Sequence, residues 1–156
     1  MPFLIDTNVL LRSVQPSHPH HASAVAALEI LMKRREALVV AFQNVAEFWN
    51  VVTRPTDKNG LGFTTEEAFF ELTKMERFFR ILCESATSYE AWKTLLKANR
   101  VVGVQAHDTR LVAVMKSYGV FRIVTFNVND FARFTNIEVL HPDRIAAAGS
   151  LEPDTA

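Results

Sequence analysis

The chain of 156 residues has one cysteine, no surplus of charge of either sign and no long apolar run. The lone thiol, Cys83, excludes an internal disulfide and fits a reducing compartment. Lysine plus arginine and aspartate plus glutamate number 17 each, so bulk positive charge is not available to coat nucleic acid. A local basic patch that grips a few phosphates stays compatible with that balance. No stretch approaches the ~18 apolar residues of a membrane-crossing helix. The N-terminus lacks the charged segment and apolar core of a signal peptide, so a cytoplasmic location is expected. With 49% hydrophobic and 22% charged residues, the composition is that of a folded domain with a real core.

Short apolar runs alternate with helical periodicity. Phe3–Ile5, Ala37–Ala41, Ile81–Ser85, Phe121–Phe126 and Ile137–Leu140 read as strands. Between them, Val9–Val14 suggests a short helix and Ala22–Arg35 a longer one, with Ala24, Val25, Leu28, Leu31 and Met32 on one face. Gln43–Arg54 is a helix that Pro55 ends. Thr64 with Glu67, and Thr87 with Glu90, have capping-box spacing before two further helices. A helix from Gln105 is closed by Gly119. Strands that are apolar on both faces and separated by helices predict a three-layer α/β/α sandwich around a parallel sheet of about five strands. The domain is expected to span residues 1–145, with 146–156 as a flexible tail.

Four acids fall at the carboxyl ends of strands or in the first turns of the helices that follow. Asp6 follows the first strand, Glu47 lies early in the helix after the second, Asp108 opens a later helix, and Asp130 follows the fourth strand. Ligands of doubly wound sheets bind along that edge. Each acid also has a plainer reading: Asp6 and Asp108 as helix caps, Asp130 as a turn residue, Glu47 as a solvated side chain. Taken together, clustered carboxylates repel one another unless a cation neutralises them. Oxygen ligands without a cysteine partner suit Mg2+, with Mn2+ as a substitute, rather than zinc. One or two such ions can activate water and stabilise the leaving oxygen in phosphodiester cleavage.

The segments "FLIDTNVLL", "QNVAEFWNV", "HDTRLVAVM" and "TFNVNDF" resemble the four acidic motifs of PIN-domain ribonucleases, most of all the toxin halves of bacterial VapBC toxin–antitoxin pairs. "HPHHASAVAALEIL" is also similar to that group, and the likeness runs from about Pro2 to Leu140. D-T-N alone is only three residues; the ordered set carries the resemblance. It implies a Mg2+-dependent endoribonuclease with Asp6, Glu47, Asp108 and Asp130 as catalytic, metal-holding acids. Thr7, Asn8, Thr125 and Asn127 match the polar residues that orient those acids. Thr109 and Arg110 depart from the pattern, standing where small or apolar residues are common. The resemblance further implies a VapB-type antitoxin as partner, a homodimer, and RNA as substrate.

Arg12, His107 and Arg110 are candidate substrate contacts, and Lys33, Arg34, Arg35, Arg54, Lys58 and Arg133 are further basic residues that phosphates could reach. His18, His20 and His21 lack a second ligand cluster and read as loop or helix-start residues rather than a zinc site. Phe70, Met75, Phe78 and Phe79 supply either core or an interaction surface. Three rivals remain. A haloacid-dehalogenase-like phosphohydrolase needs a second acid two residues after Asp6, where Asn8 stands. A receiver domain needs paired acids and a late lysine. A non-enzymatic PIN-like binding module would lack at least one of the four acids.

Overall fold

Phe3, Leu4 and Ile5 are all buried, and this small apolar strand, β1 (Phe3–Ile5), is the centre of the sheet. The computed structural model describes residues 1–149. β2 (Leu38–Ala41), β3 (Arg80–Leu82), β4 (Arg122–Val124) and β5 (Glu138–Leu140) join β1 in the order β3-β2-β1-β4-β5, all parallel. Phe3 sits opposite Leu38 on one side and Arg122 on the other.

Alternation along β1 divides the core in two. Phe3 and Ile5 face helices α1 (Thr7–Ser13), α2 (His21–Lys33), α3 (Phe42–Thr53) and α4 (Thr65–Phe78), together with Leu38 and Val40. Leu4, Val39, Ala41 and Ile123 face α5 (Ala86–Ala98), α6 (Gln105–Ser117) and α7 (Val128–Phe131). Helix α8 (Pro142–Gly149) returns to the first face through Ile145 and packs on α2. The result is the expected three-layer α/β/α sandwich. No helix among the described residues is long and apolar enough to cross a membrane.

Helix α8 continues the fold past the expected boundary at residue 145. Its apolar Ile145 finds the α2 layer, and Gly149 packs so closely on Ile30 that a Cβ there would lie 2.3 Å from Ile30 Cδ1. The rest of the expected tail, 150–156, lies outside the described residues. Helix ends elsewhere follow local rules. Arg54 is extended ahead of Pro55, and Gly119 takes φ +67 just after α6. The box at α4 forms as expected, with Thr64 N–H donating to Glu67 Oε2 at 2.8 Å and Glu67 N–H to Thr64 Oγ1 at 3.1 Å.

At α5 the expectation fails. The helix starts earlier, and the box is made by Ser85 and Ser88, not Thr87 and Glu90: Ser88 N–H donates to Ser85 Oγ at 3.3 Å and Ser85 N–H to Ser88 Oγ at 2.8 Å. β3 is correspondingly displaced, ending at Leu82 because Ser85 is already committed to the cap. On α4, Ala68 and Met75 face the core, whereas Phe69, Phe70 and Phe78 are 59%, 65% and 54% exposed. Most of the aromatic surface of that helix is therefore surplus to the core.

The cap assignment is testable. Ser85→Ala should lower unfolding stability by about 1 kcal/mol in urea titrations, and Thr87→Ala should leave it nearly unchanged.

Candidate active site

The strand order reverses between β1 and β4, the switch point at whose carboxyl edge doubly wound sheets bind ligands. Asp6 stands there directly after β1, and Thr125 directly after β4. The Asp6 N–H continues the ladder by donating to the Val124 carbonyl at 3.0 Å. Asp6 is therefore a strand-end residue and also the N-cap of α1, its Oδ1 accepting from Thr7 N–H at 2.8 Å.

Asp6 is only 9% exposed, and its carboxylate is held by four donors from three chain segments. Thr125 Oγ1 donates to Oδ2 at 2.7 Å and Asn8 Nδ2 to the same oxygen at 3.2 Å. Asn44 Nδ2 donates to Oδ1 at 3.4 Å. The donors are themselves fixed. Asn8 Nδ2 also donates to Thr125 Oγ1 at 3.0 Å, and Asn8 Oδ1 accepts Phe126 N–H at 3.1 Å. Thr125 Oγ1 accepts Asn127 N–H at 3.0 Å, so Asn127 acts here through its backbone.

Glu47 reaches the same network from α3. Thr7 Oγ1 donates to Glu47 Oε2 at 2.8 Å and accepts from Asn44 Nδ2 at 3.1 Å. Asn44 Oδ1 in turn accepts Ala41 N–H at 2.9 Å, which anchors the start of α3. Gln43 Nε2 donates to Glu47 Oε1 and to the His107 carbonyl, both at 3.2 Å, linking α3 to the first turn of α6. Asn44 and Gln43 escaped the sequence reading. Their signal was spacing: they precede Glu47 by one helical turn and so share its face.

Asp108 lies in the first turn of α6, half-buried, and makes no cap bond. Asp130 lies on α7 and is exposed. Electrostatics ties the four together. Burial, then the charges of Glu47 and Asp108, push the Asp6 carboxyl up to about 6, against the hydrogen bonds from Thr125 and Thr7. Burial, then Asp130 and Glu47, push Asp108 up, with Arg133 and His107 opposing. Among the described residues no lysine or arginine forms an ion pair with any of the four acids. Nor do any three His, Cys, Asp or Glu side chains among them form a ready-made metal cage. The acids thus lie within electrostatic reach of one another, short of a closed coordination sphere. Their all-oxygen chemistry, their lack of an ion pair among the described residues and the buried, unpartnered Gln43 Oε1 beside Glu47 fit a hard divalent cation.

The candidate substrate contacts are placed differently. Arg110 turns to Glu84, with which it forms an ion pair, while its charge still acts on Glu47. The His107 side chain is exposed, and only its carbonyl enters the network. Arg12 Nη1 donates to Gln15 Oε1 at 2.6 Å, and its carbonyl contacts His21 Nδ1 at 2.8 Å. Loss of solvent, then the charges of Arg12 and His20, push the His18 imidazole down.

The family model of the PIN domain matches residues 3–137. Among solved structures, the chain is similar to FitAcB from Neisseria gonorrhoeae at TM-score 0.65 and 19% identity, covering 90% of this chain and 97% of that one. VapBC2 from Rickettsia felis, solved bound to a DNA fragment from its promoter, gives 0.64 and 17%, covering 90% and 98%. VapC20 of Mycobacterium tuberculosis, a sarcin–ricin-loop-cleaving toxin, gives 0.61 and 16%, covering 85% and 95%. No curated protein matches.

The raised Asp6 value has a signed consequence. Between 3.8 and about 6 the native state holds more proton than the unfolded chain. Stability from this group is therefore present at low pH and falls as pH rises through that window, by roughly 3 kcal/mol at most. In metal-free buffer, Asp6→Asn should raise Tm at about pH 7 and shrink its advantage over the parent as pH falls toward about 4. An advantage independent of pH would contradict the burial argument.

Proposed function

Because the chain belongs to the PIN domain family, we propose that it is a Mg2+-dependent endoribonuclease and the toxin of a type II toxin–antitoxin pair. The reading is supported by the electrostatic coupling of acids from four separate segments, two of them with pKa values raised by burial and by one another's charges, and none in an ion pair among the described residues. Asp6, Glu47 and Asp108 would hold the ion, with Asp130 completing the site from α7. A bound divalent cation supplies charge neutralisation at the phosphate and a lowered pKa for water; Mn2+ meets the same oxygen chemistry.

The chain's own contribution is preorganisation. Thr125, Asn8, Asn44 and Thr7 N–H fix the Asp6 carboxylate, so its oxygens do not reorient during the reaction. Thr7 and Gln43 hold Glu47 on the same rim. Asn8 is fully used as a bridge between β1 and the turn after β4. That role argues against the dehalogenase-like reading, in which this position must carry a second acid. The presence of all four acids likewise favours an enzyme over a binding module.

The exposed Phe69, Phe70 and Phe78 side chains of α4 support a protein partner, which on this reading is a VapB-type antitoxin, or a second copy of the chain in a homodimer. VapBC2 and FitAcB share the fold, and the partner assignment rests on that likeness. The site of action is then the cytoplasm, where RNA is the substrate.

Incubation with RNA decides the matter. Cleavage should require Mg2+ and stop with EDTA, and Asp6→Asn or Glu47→Gln should lower it by about 100-fold or more. Full activity in Asp6→Asn, or hydrolysis of a phosphomonoester with RNA untouched, would contradict the proposal.

A further inference from the structure

Three chain segments bring four rings together at the β4 side of the acidic site. His18 and His20 come from the turn between α1 and α2, Phe126 from the turn after β4, and His141 from the junction of β5 and α8. Their centroids are 5.4 Å apart from His18 to His20, 4.7 Å from His20 to Phe126 and 5.2 Å from Phe126 to His141. Short bonds hold the row in place. The His18 ring accepts His20 N–H at 3.0 Å, and His141 Nδ1 accepts Asp143 N–H at 3.1 Å.

The row is joined to the acids by a single residue step. Phe126 follows Thr125, which donates to Asp6, and Phe126 N–H is fixed by Asn8. His20 is exposed and the other three rings are half-buried, so ring surface stays open beside the site. Phe126 packs on the core, but His20 caps α2 only through its carbonyl, which accepts Ala24 N–H at 3.0 Å, and its side chain makes no cap bond. Arg12 lies close enough to His18 to act on its charge, and Asp143 is the one carboxylate bonded to the row among the described residues. Neutral or cationic rings beside a guanidinium complement a base flanked by phosphates.

We propose that this His18–His20–Phe126–His141 row is a stacking platform for an unpaired RNA base next to the cleaved phosphate, with His20 and Phe126 as substrate-positioning residues. The inference rests on the nuclease reading and deepens it. Single-stranded RNA offers splayed bases, and every base has a face that stacks on a ring whatever its identity. The platform therefore sets the register of the strand without dictating one base.

The test uses the full chain in an Asp6→Asn background with Mg2+. Fluorescence anisotropy measures binding of a labelled single-stranded RNA of about 12 nucleotides, with normal bases or with abasic positions. Adding His20→Ala should weaken binding of the normal strand by about tenfold and leave the abasic strand unchanged, and His20→Tyr should restore the loss. In the otherwise unaltered enzyme, His20→Ala should raise KM and leave kcat nearly as it was. The proposal is overturned if His20→Ala binds the normal strand as tightly as its background, as expected of a face meant for a protein partner. It is equally overturned if both strands weaken alike, as a phosphate contact would require, or if neither strand binds. Cleavage by the Asp6→Asn background strikes the assignment of the acids instead, since the stacking comparison reads binding alone.

Discussion

A carboxylate held almost out of water at the junction of two parallel strands is the constraint from which the rest of the structure follows. Asp6 is surrounded by hydrogen-bond donors, yet burial and neighbouring acids still raise its pKa to about 6. Four donors satisfy its lone pairs without neutralising its charge. Hydrogen bonding therefore buys orientation, while the electrostatic cost remains until a proton or a cation arrives.

The fold creates that position by topology. Strand order reverses between β1 and β4, and parallel pairing places Asp6 and Thr125 side by side at that switch point. Helix α3 enters from the first face with Asn44 and Glu47, and α6 from the second with Asp108. Gln43 bridges the two helices at the rim. The two halves of the core thus meet at the site, and neither layer alone could assemble it.

Much of this was legible beforehand because it depends on local periodicity. Doubly apolar strands gave the parallel sheet, and acids at strand ends gave the edge on which to look. What the sequence hid depended on partners far along the chain. Asn44 reads as an ordinary polar residue until Asp6, Thr7 and the Ala41 N–H are known to surround it. Arg110 reads as a phosphate ligand until Glu84 is found beside it. Ser85 and Thr87 offer competing caps, and the end of β3 decides between them. Helix α8 has a short apolar face whose use appears only against α2. The histidines of the α1–α2 turn gain meaning only when Phe126 and His141 arrive from the other end of the chain.

The central claim is that Asp6 carries an electrostatic burden that a divalent cation relieves. The most direct measurement is an NMR titration of the Asp6 carboxyl carbon, with and without Mg2+. Without the ion, the midpoint should lie at about 6. With Mg2+ present it should fall by about one unit or more, because the cation favours the charged form. A midpoint in the ordinary carboxylate range without metal, unmoved by Mg2+, would contradict the account.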